Sequence, residues 1–269
     1  MKKLSFYLLI SLSLALLGGC KKEENGTNTQ SAEDASVANT ESNNVYEIVD
    51  RLARESDVHK TSGNLPDCAA VTIDTISAGR SITFDFGTTG CVCTKIDGKT
   101  RKGKVIATWT GRYRKEGSII TLTTTDYYVN NYKHAISKSI TNKGRVDGNL
   151  TFDITVNNQV ETPEGTISWA SSRTRAWVAG ESTILNLSDD QYDISDKTAS
   201  VGKNRKGEAF TSNIKKPIRI NLGCNYFITE GSFDLKTGTS PTLTVDYGDG
   251  ACDNKFTVTV NGKTYNLTW

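Results

Sequence analysis

Apolar and polar residues alternate with a period of two along most of this chain, from about Val71 to the C-terminus. The segments SITFDFG, KVIATWTGRY, SIITLTTTDYYV, NLTFDITV, TISWASSRTRAWV, TLTVDYG and KFTVTV are rich in Thr, Val, Ile and aromatic residues, the composition of half-buried strands. Between such segments stand Asp97-Gly98, Asn142-Lys143-Gly144, Glu164-Gly165 and Asn261-Gly262, which accept the backbone of tight hairpin turns. Two of the four prolines, Pro217 and Pro241, fall where strands are expected to start. Consecutive short strands joined by hairpins predict an all-β, antiparallel, multi-strand domain over residues 66–269. A sandwich or an extended meander fits this pattern better than a closed barrel. One stretch has helical spacing instead. In VYEIVDRLARESD, Val45, Ile48, Val49 and Leu52 recur on one face, with Asn43 or Asn44 placed to cap it. This predicts a short helix over 45–55 and a connector to 65.

The N-terminus is organised differently. Lys2 and Lys3 precede an apolar run from Leu4 to Leu17, too short for a comfortable span of a bilayer core about 30 Å thick. Small residues then lead to Cys20. This is the plan of a secretory signal peptide over residues 1–19. The ending Leu17-Gly18-Gly19-Cys20 resembles the bacterial lipobox, which implies that Cys20 is acylated and becomes the first mature residue. Several acyl chains on one cysteine anchor a protein in a way that a single chain does not. Lys21 and the following Lys22, Glu23 and Glu24 resemble the export signal of Bacteroidota surface lipoproteins, an address read by a receptor. Residues 20–44 have no aromatics and few large apolar groups, and are expected to form a disordered tether.

Charge narrows the partners. The chain has 32 Lys and Arg against 30 Asp and Glu, and two of those lysines are Lys2 and Lys3. The mature chain is therefore neutral, which argues against nucleic acid as a partner.

Two segments resemble each other. ITFDFGTTGC (82–91) and LTVDYGDGAC (243–252) place Thr, Asp, Gly and Cys at the same offsets, each with a cysteine upstream. Hairpin register puts Cys68 near Cys91, and Cys224 near Cys252. The expected disulfides are thus Cys68–Cys91 and Cys224–Cys252, reasonable for an exported chain. Cys91 and Cys93 lie two apart on one strand and are not expected to pair with each other, so Cys93 is the odd cysteine.

Candidate chemistry is sparse. The two histidines, His59 and His134, lie in no nucleophile motif and are expected at the surface or in turns. Cys91-Val92-Cys93 lacks the usual two-residue gap of a zinc pair. Asp246, Asp249 and Asp253, with Asn254, offer clustered oxygen ligands for calcium, although Asp-Gly is also what a tight turn needs. A carboxylate pair for glycoside hydrolysis has no local signature. The basic run KIDGKTRKGK reads as a solvated strand edge. In WASSRTRAW, alternation places Trp169, Ser171, Arg173, Arg175 and Trp177 on one strand face. The small residues on the other face suit close packing. The Trp and Arg face is then expected to look outward or into a wet groove, as a surface for a sugar or a carboxylate.

The body as a whole, through GCVCTKIDGKTRKGK, TDYYVNN, SSRTRAW, DYGDGACDNK and VNGKTY, resembles a group of uncharacterised Bacteroidota surface lipoproteins over residues 66–269. The resemblance implies an all-β body and an outer-membrane address, and brings no activity, cofactor or catalytic residue with it.

The expected function is a surface-exposed, palmitate-bearing outer-membrane lipoprotein, facing the cell exterior and held in the membrane through Cys20. It would act as a non-enzymatic binding or structural module without a cofactor, with a glycan or another envelope protein as partner. Two alternatives are an extracellular glycan-processing accessory or hydrolase, and an outer-membrane β-barrel. The barrel draws on the alternation of Tyr265, Leu267 and the terminal Trp269, but the strands lack a sustained apolar outer band.

Overall fold

A computed structural model of the chain describes residues 30–57, 68–74, 80–94, 98–183, 186–224, 228–253 and 255–268. It is all-β with one N-terminal helix, α1 (Gln30–Asp57). Fourteen antiparallel strands follow: β1 (Ala70–Asp74), β2 (Arg80–Asp85), β3 (Cys91–Val92), β4 (Thr100–Trp109), β5 (Ile119–Val129), β6 (Tyr132–Val146) and β7 (Asn149–Thr162); then β8 (Gly165–Ala179), β9 (Gln191–Lys203), β10 (Ala209–Asn221), β11 (Ile228–Thr237), β12 (Leu243–Asp249), β13 (Lys255–Val260) and β14 (Lys263–Thr268). They form one sheet in sequence order, a meander, with β3 set beside β4 as a short extension. The sheet is open, because β1 and β14 each pair on one side only. A closed membrane barrel is therefore not the architecture.

Turn chemistry fixes the register. Asn130-Asn131, Asp147-Gly148 and Asn261-Gly262 all have positive φ at both positions, the two-residue turn whose twist matches the flanking strands. The sequence placed one turn wrongly. Asn142-Lys143-Gly144 lies inside β6 as a bulge between Asn142 and Arg145, where Gly144 N donates to Asn142 Oδ1 at 2.7 Å. The chain reverses instead at Asp147-Gly148. A second irregularity bends the sheet at Gly103 (φ +86), where a Cβ would sit 1.9 Å from the Asp126 carbonyl oxygen.

The helix starts earlier than its apolar spacing predicts. α1 begins at Gln30 and runs through most of the segment expected to be a tether. The reason lies in the sheet. Ser31, Asp34, Glu41 and Ser42 are buried, although their polarity reads as solvated. Leu52 is within α1, but its side chain is outside the described residues.

Nearby helix positions reach strands far apart in the sheet. Glu41 meets β4 and β5, Ser42 meets β6, Ala38 meets β7 and Asp50 meets β8. A core cluster around Val45, Tyr46, Val49 and Ala53 takes in Phe84 of β2, Leu122 of β5, Phe152 of β7 and Tyr192 of β9. In a flat sheet β2 and β9 would lie about 29 Å apart at about 4.8 Å per strand. A helix is only about 10–12 Å across. The sheet therefore curves around α1. A second cluster joins Ala35 and Ala38 to Val160, Ile167, Trp169, Phe210, Leu235 and Val260.

The turns alternate between the two ends of this trough. Cys68–Cys91 joins the approach to β1 with β3 at one end, and Cys224–Cys252 joins the β10–β11 and β12–β13 connections at the other. Both pairs are those expected from hairpin register, with Cα separations of 5.7 and 5.6 Å. Each closes a loop worth about 3 kcal/mol in the chain-entropy account. The repeated segments around β2 and β12 lie toward opposite edges of the sheet.

Candidate functional site

The concave face of the sheet carries the densest chemistry of the molecule, and the chain's own helix occupies it. Strand alternation sends Arg101, His134, Lys138, Asn142, Asn158 and Arg175 inward among apolar neighbours, where isolated charge would be costly. α1 supplies partners for Arg101, Lys138, Asn158 and Arg175.

Near the middle of the helix, Arg101 forms an ion pair with Glu41, Nη2 to Oε2 at 3.1 Å, with both side chains almost fully buried. Tyr127 completes the group by donating its hydroxyl to Glu41 Oε1 at 2.7 Å and accepting from Arg101 Nε at 3.0 Å. Burial, reinforced by the Glu41 charge, holds the Tyr127 phenol well above its ordinary pKa, so it stays protonated. His134 lies alongside, its ring edge-on to Tyr127. Its Nδ1 meets no hydrogen-bond partner among the described residues. Burial, helped by the nearby Lys99 and Arg101 charges, depresses its pKa to about 4. His134 is thus a neutral core residue, not the surface or turn residue expected from sequence. His59 lies outside the described residues.

Toward the C-terminal half of α1, Asp50 Oδ1 accepts from Tyr46 at 2.6 Å, Tyr113 at 2.5 Å and Arg175 Nη2 at 3.0 Å. Arg175 also donates to the Tyr113 hydroxyl at 2.7 Å, and its guanidinium stacks within about 5 Å of Tyr46, Phe152 and Tyr192. At the N-terminal end, Asp34 takes Arg205 Nε at 2.9 Å and Nη2 at 2.6 Å, while Asn204 donates to Ser31 at 3.0 Å. Between these, Lys138 donates to the Ser42 carbonyl at 3.2 Å and Asn158 to the Ala38 carbonyl at 2.7 Å.

This overturns the expected ligand face. Trp169, Ser171, Arg175 and Trp177 are buried, and the opposite face of β8 is the more exposed one. Trp177 donates its Nε1 to Asp190 at 3.0 Å, and Trp169 stacks on Phe210. Arg173 pairs with Asp196 at 3.1 Å. The spacing of small residues in β8 suggests them as the packing side. In fact the large residues face the trough, and polarity alone hid this because Arg175 has a buried acid waiting on α1.

The remaining candidates separate. Asp246 and Asp253 serve as local turn acceptors, for Gly248 N at 2.7 Å and Lys255 N at 3.1 Å, and Asp253 also pairs with Lys255. Asn254 lies outside the described residues. Among the described residues, three potential metal-ligating groups converge only at Cys68, Cys91 and Cys93, whose sulfurs lie within 4.8 Å of one another. A shallow surface depression of about 500 Å³, at the end of the trough away from Arg205, is lined by Arg114, Arg145, Asn149, Glu181 and Ser182. It offers a single carboxylate, Glu181, held by Arg145 at 2.7 Å, and so lacks the facing acid pair of a glycoside hydrolase. Cys20, Lys22, Glu23 and Glu24 lie outside the described residues. No family model, no curated protein and no solved structure matches this chain.

Proposed function

We propose that the chain is a surface-exposed outer-membrane lipoprotein, anchored through Cys20, whose body binds or bridges rather than catalyses. The observation that carries this reading is the seating of α1. The helix begins ten positions after Cys20, a distance of at most about 35 Å of extended chain, and is fastened inside the sheet by three acid–arginine contacts. A lipid anchor at Cys20 is then coupled to the body through a built-in helix rather than a long loose tether. The Leu17-Gly18-Gly19-Cys20 ending and the Lys22-Glu23-Glu24 address supply the membrane half of the reading.

Because α1 fills the concave face, a partner must use the outer face, the strand edges or the loops. The Arg205 end of the sheet holds the start of α1, ten positions in sequence after Cys20. Cys224–Cys252 and the Arg145–Glu181 depression lie at the opposite end. This distal end is the contact surface assigned to a glycan or another envelope protein. The test is cell fractionation with external protease. Replacing Lys22, Glu23 and Glu24 by alanine should leave the protein in the membrane but protect it from protease added outside. Unchanged cleavage in that variant would mean that Lys22-Glu23-Glu24 is not the export address, and a parent protein that resists external protease would contradict surface display.

A further inference from the structure

We propose that Cys68, Cys91 and Cys93 form a thiol–disulfide exchange site, in which the bridge moves between Cys68–Cys91 and Cys68–Cys93 and the thiol offered to solvent is Cys91. Three observations on the molecule meet here. The three sulfurs lie within 4.8 Å of one another, and Cys93 Sγ is 2.7 Å from Cys68 Sγ. Cys91 and Cys93 are two residues apart, so both side chains leave the chain on the same side and address the same sulfur. Burial differs sharply: Cys93 is 0% exposed, whereas Cys68 and Cys91 are each partly accessible.

The step is redox-neutral and needs no other reactant. The Cys93 thiolate attacks Cys68 Sγ and forms the Cys68–Cys93 bond. The Cys68–Cys91 bond breaks, and Cys91 leaves as a thiolate that takes up the proton Cys93 lost. Both arrangements are locally supported. In the first, Cys93 N donates to the Lys99 carbonyl at 3.0 Å and Gly98 N donates to the Cys93 carbonyl at 2.9 Å, which hold the attacking residue in place. For the second, Cys91 Sγ already lies 2.9 Å from the Cys68 carbonyl oxygen, an acceptor for the thiol once the bridge has moved. The buried cysteine thereby stores a thiol equivalent that appears at the surface on a different residue. There it can exchange with a small-molecule disulfide, forming a mixed disulfide on Cys91 and releasing one thiol, or be captured by an electrophile.

Native-state alkylation tests this on the purified full-length chain. The folded protein is exposed to iodoacetamide, quenched in acid and mapped by non-reducing peptide mass spectrometry. The expected result is label on Cys91 together with a Cys68–Cys93 peptide. Cys93→Ser should lose the Cys91 label and keep Cys68–Cys91, and Cys93→Ala should do the same if the serine variant folds poorly. Three results would each overturn the proposal: label on Cys93 beside an intact Cys68–Cys91 bridge; no label on any of the three while the denatured chain takes one; or Cys91 labelling that persists without Cys93.

Discussion

Asp50 and Arg175 form a buried ion pair, 3.0 Å from Oδ1 to Nη2, across 125 positions of sequence. The pair ties the C-terminal half of α1 to the middle of β8, and Tyr46 and Tyr113 bond the same carboxylate oxygen. Removing one member leaves the other charged and without its counter-ion inside the core. Arg175→Ala and Asp50→Ala should each lose about 3–5 kcal/mol of stability in urea denaturation. Arg175→Met, which keeps the stem packing, paired with Asp50→Leu should recover much of that loss. Arg175→Ala with an unchanged midpoint would mean that β8 does not face the helix.

His134 gives the pH dependence a defined sign. Its folded pKa of about 4 lies below its ordinary value of 6.5 because burial disfavours the charged ring. A depressed pKa stabilises the fold above 6.5, and this contribution is lost as pH falls from 6.5 toward 4. The full effect of a shift this size is about 3 kcal/mol. His134→Leu should therefore flatten stability against pH between 6.5 and 4 relative to the parent protein, while acids titrating in both proteins cancel in the difference. Parallel curves for the two proteins over that range would remove His134 as the cause.

Where α1 starts decides which fragment folds. A chain beginning at residue 45 keeps the apolar helical stripe but lacks Asp34 and Glu41, so Arg101, whose side chain is 1% exposed, loses its acid. A chain beginning at residue 30 retains all three acid–arginine contacts. The longer fragment should be soluble, with cooperative unfolding, and the shorter one should aggregate or resist no protease. Equal folding of both would show that the first half of the helix contributes little.

The contrast between those fragments also explains what the sequence could reveal. Strand periodicity and Asn-Gly or Asp-Gly turns act locally, so an antiparallel multi-strand body, the hairpins around β1–β2 and β11–β12, and the two disulfides were legible from residue spacing, whereas the choice between sandwich and meander depends on how the strands meet across the sheet. The start of α1 was not, because Asp34 and Glu41 are favourable in the core only through Arg205 and Arg101, 171 and 60 positions away. The same blindness inverted β8. Arg175 looks like a solvent residue until Asp50 is placed opposite it, and His134 looks like a turn residue until its ring is found beside Tyr127. Asn142-Lys143-Gly144 has turn composition, yet a glycine with positive φ serves a bulge equally well.

Anchoring through Cys20 is tested directly by intact-mass analysis of the protein extracted from membranes with detergent. The expected species begins at Cys20, lacks residues 1–19, carries the added mass of acyl chains on that cysteine, and vanishes from the membrane fraction in Cys20→Ala. A membrane-bound species that still begins at Met1, or one that starts at Cys20 without added acyl mass, would contradict the lipid anchor and the display function built on it.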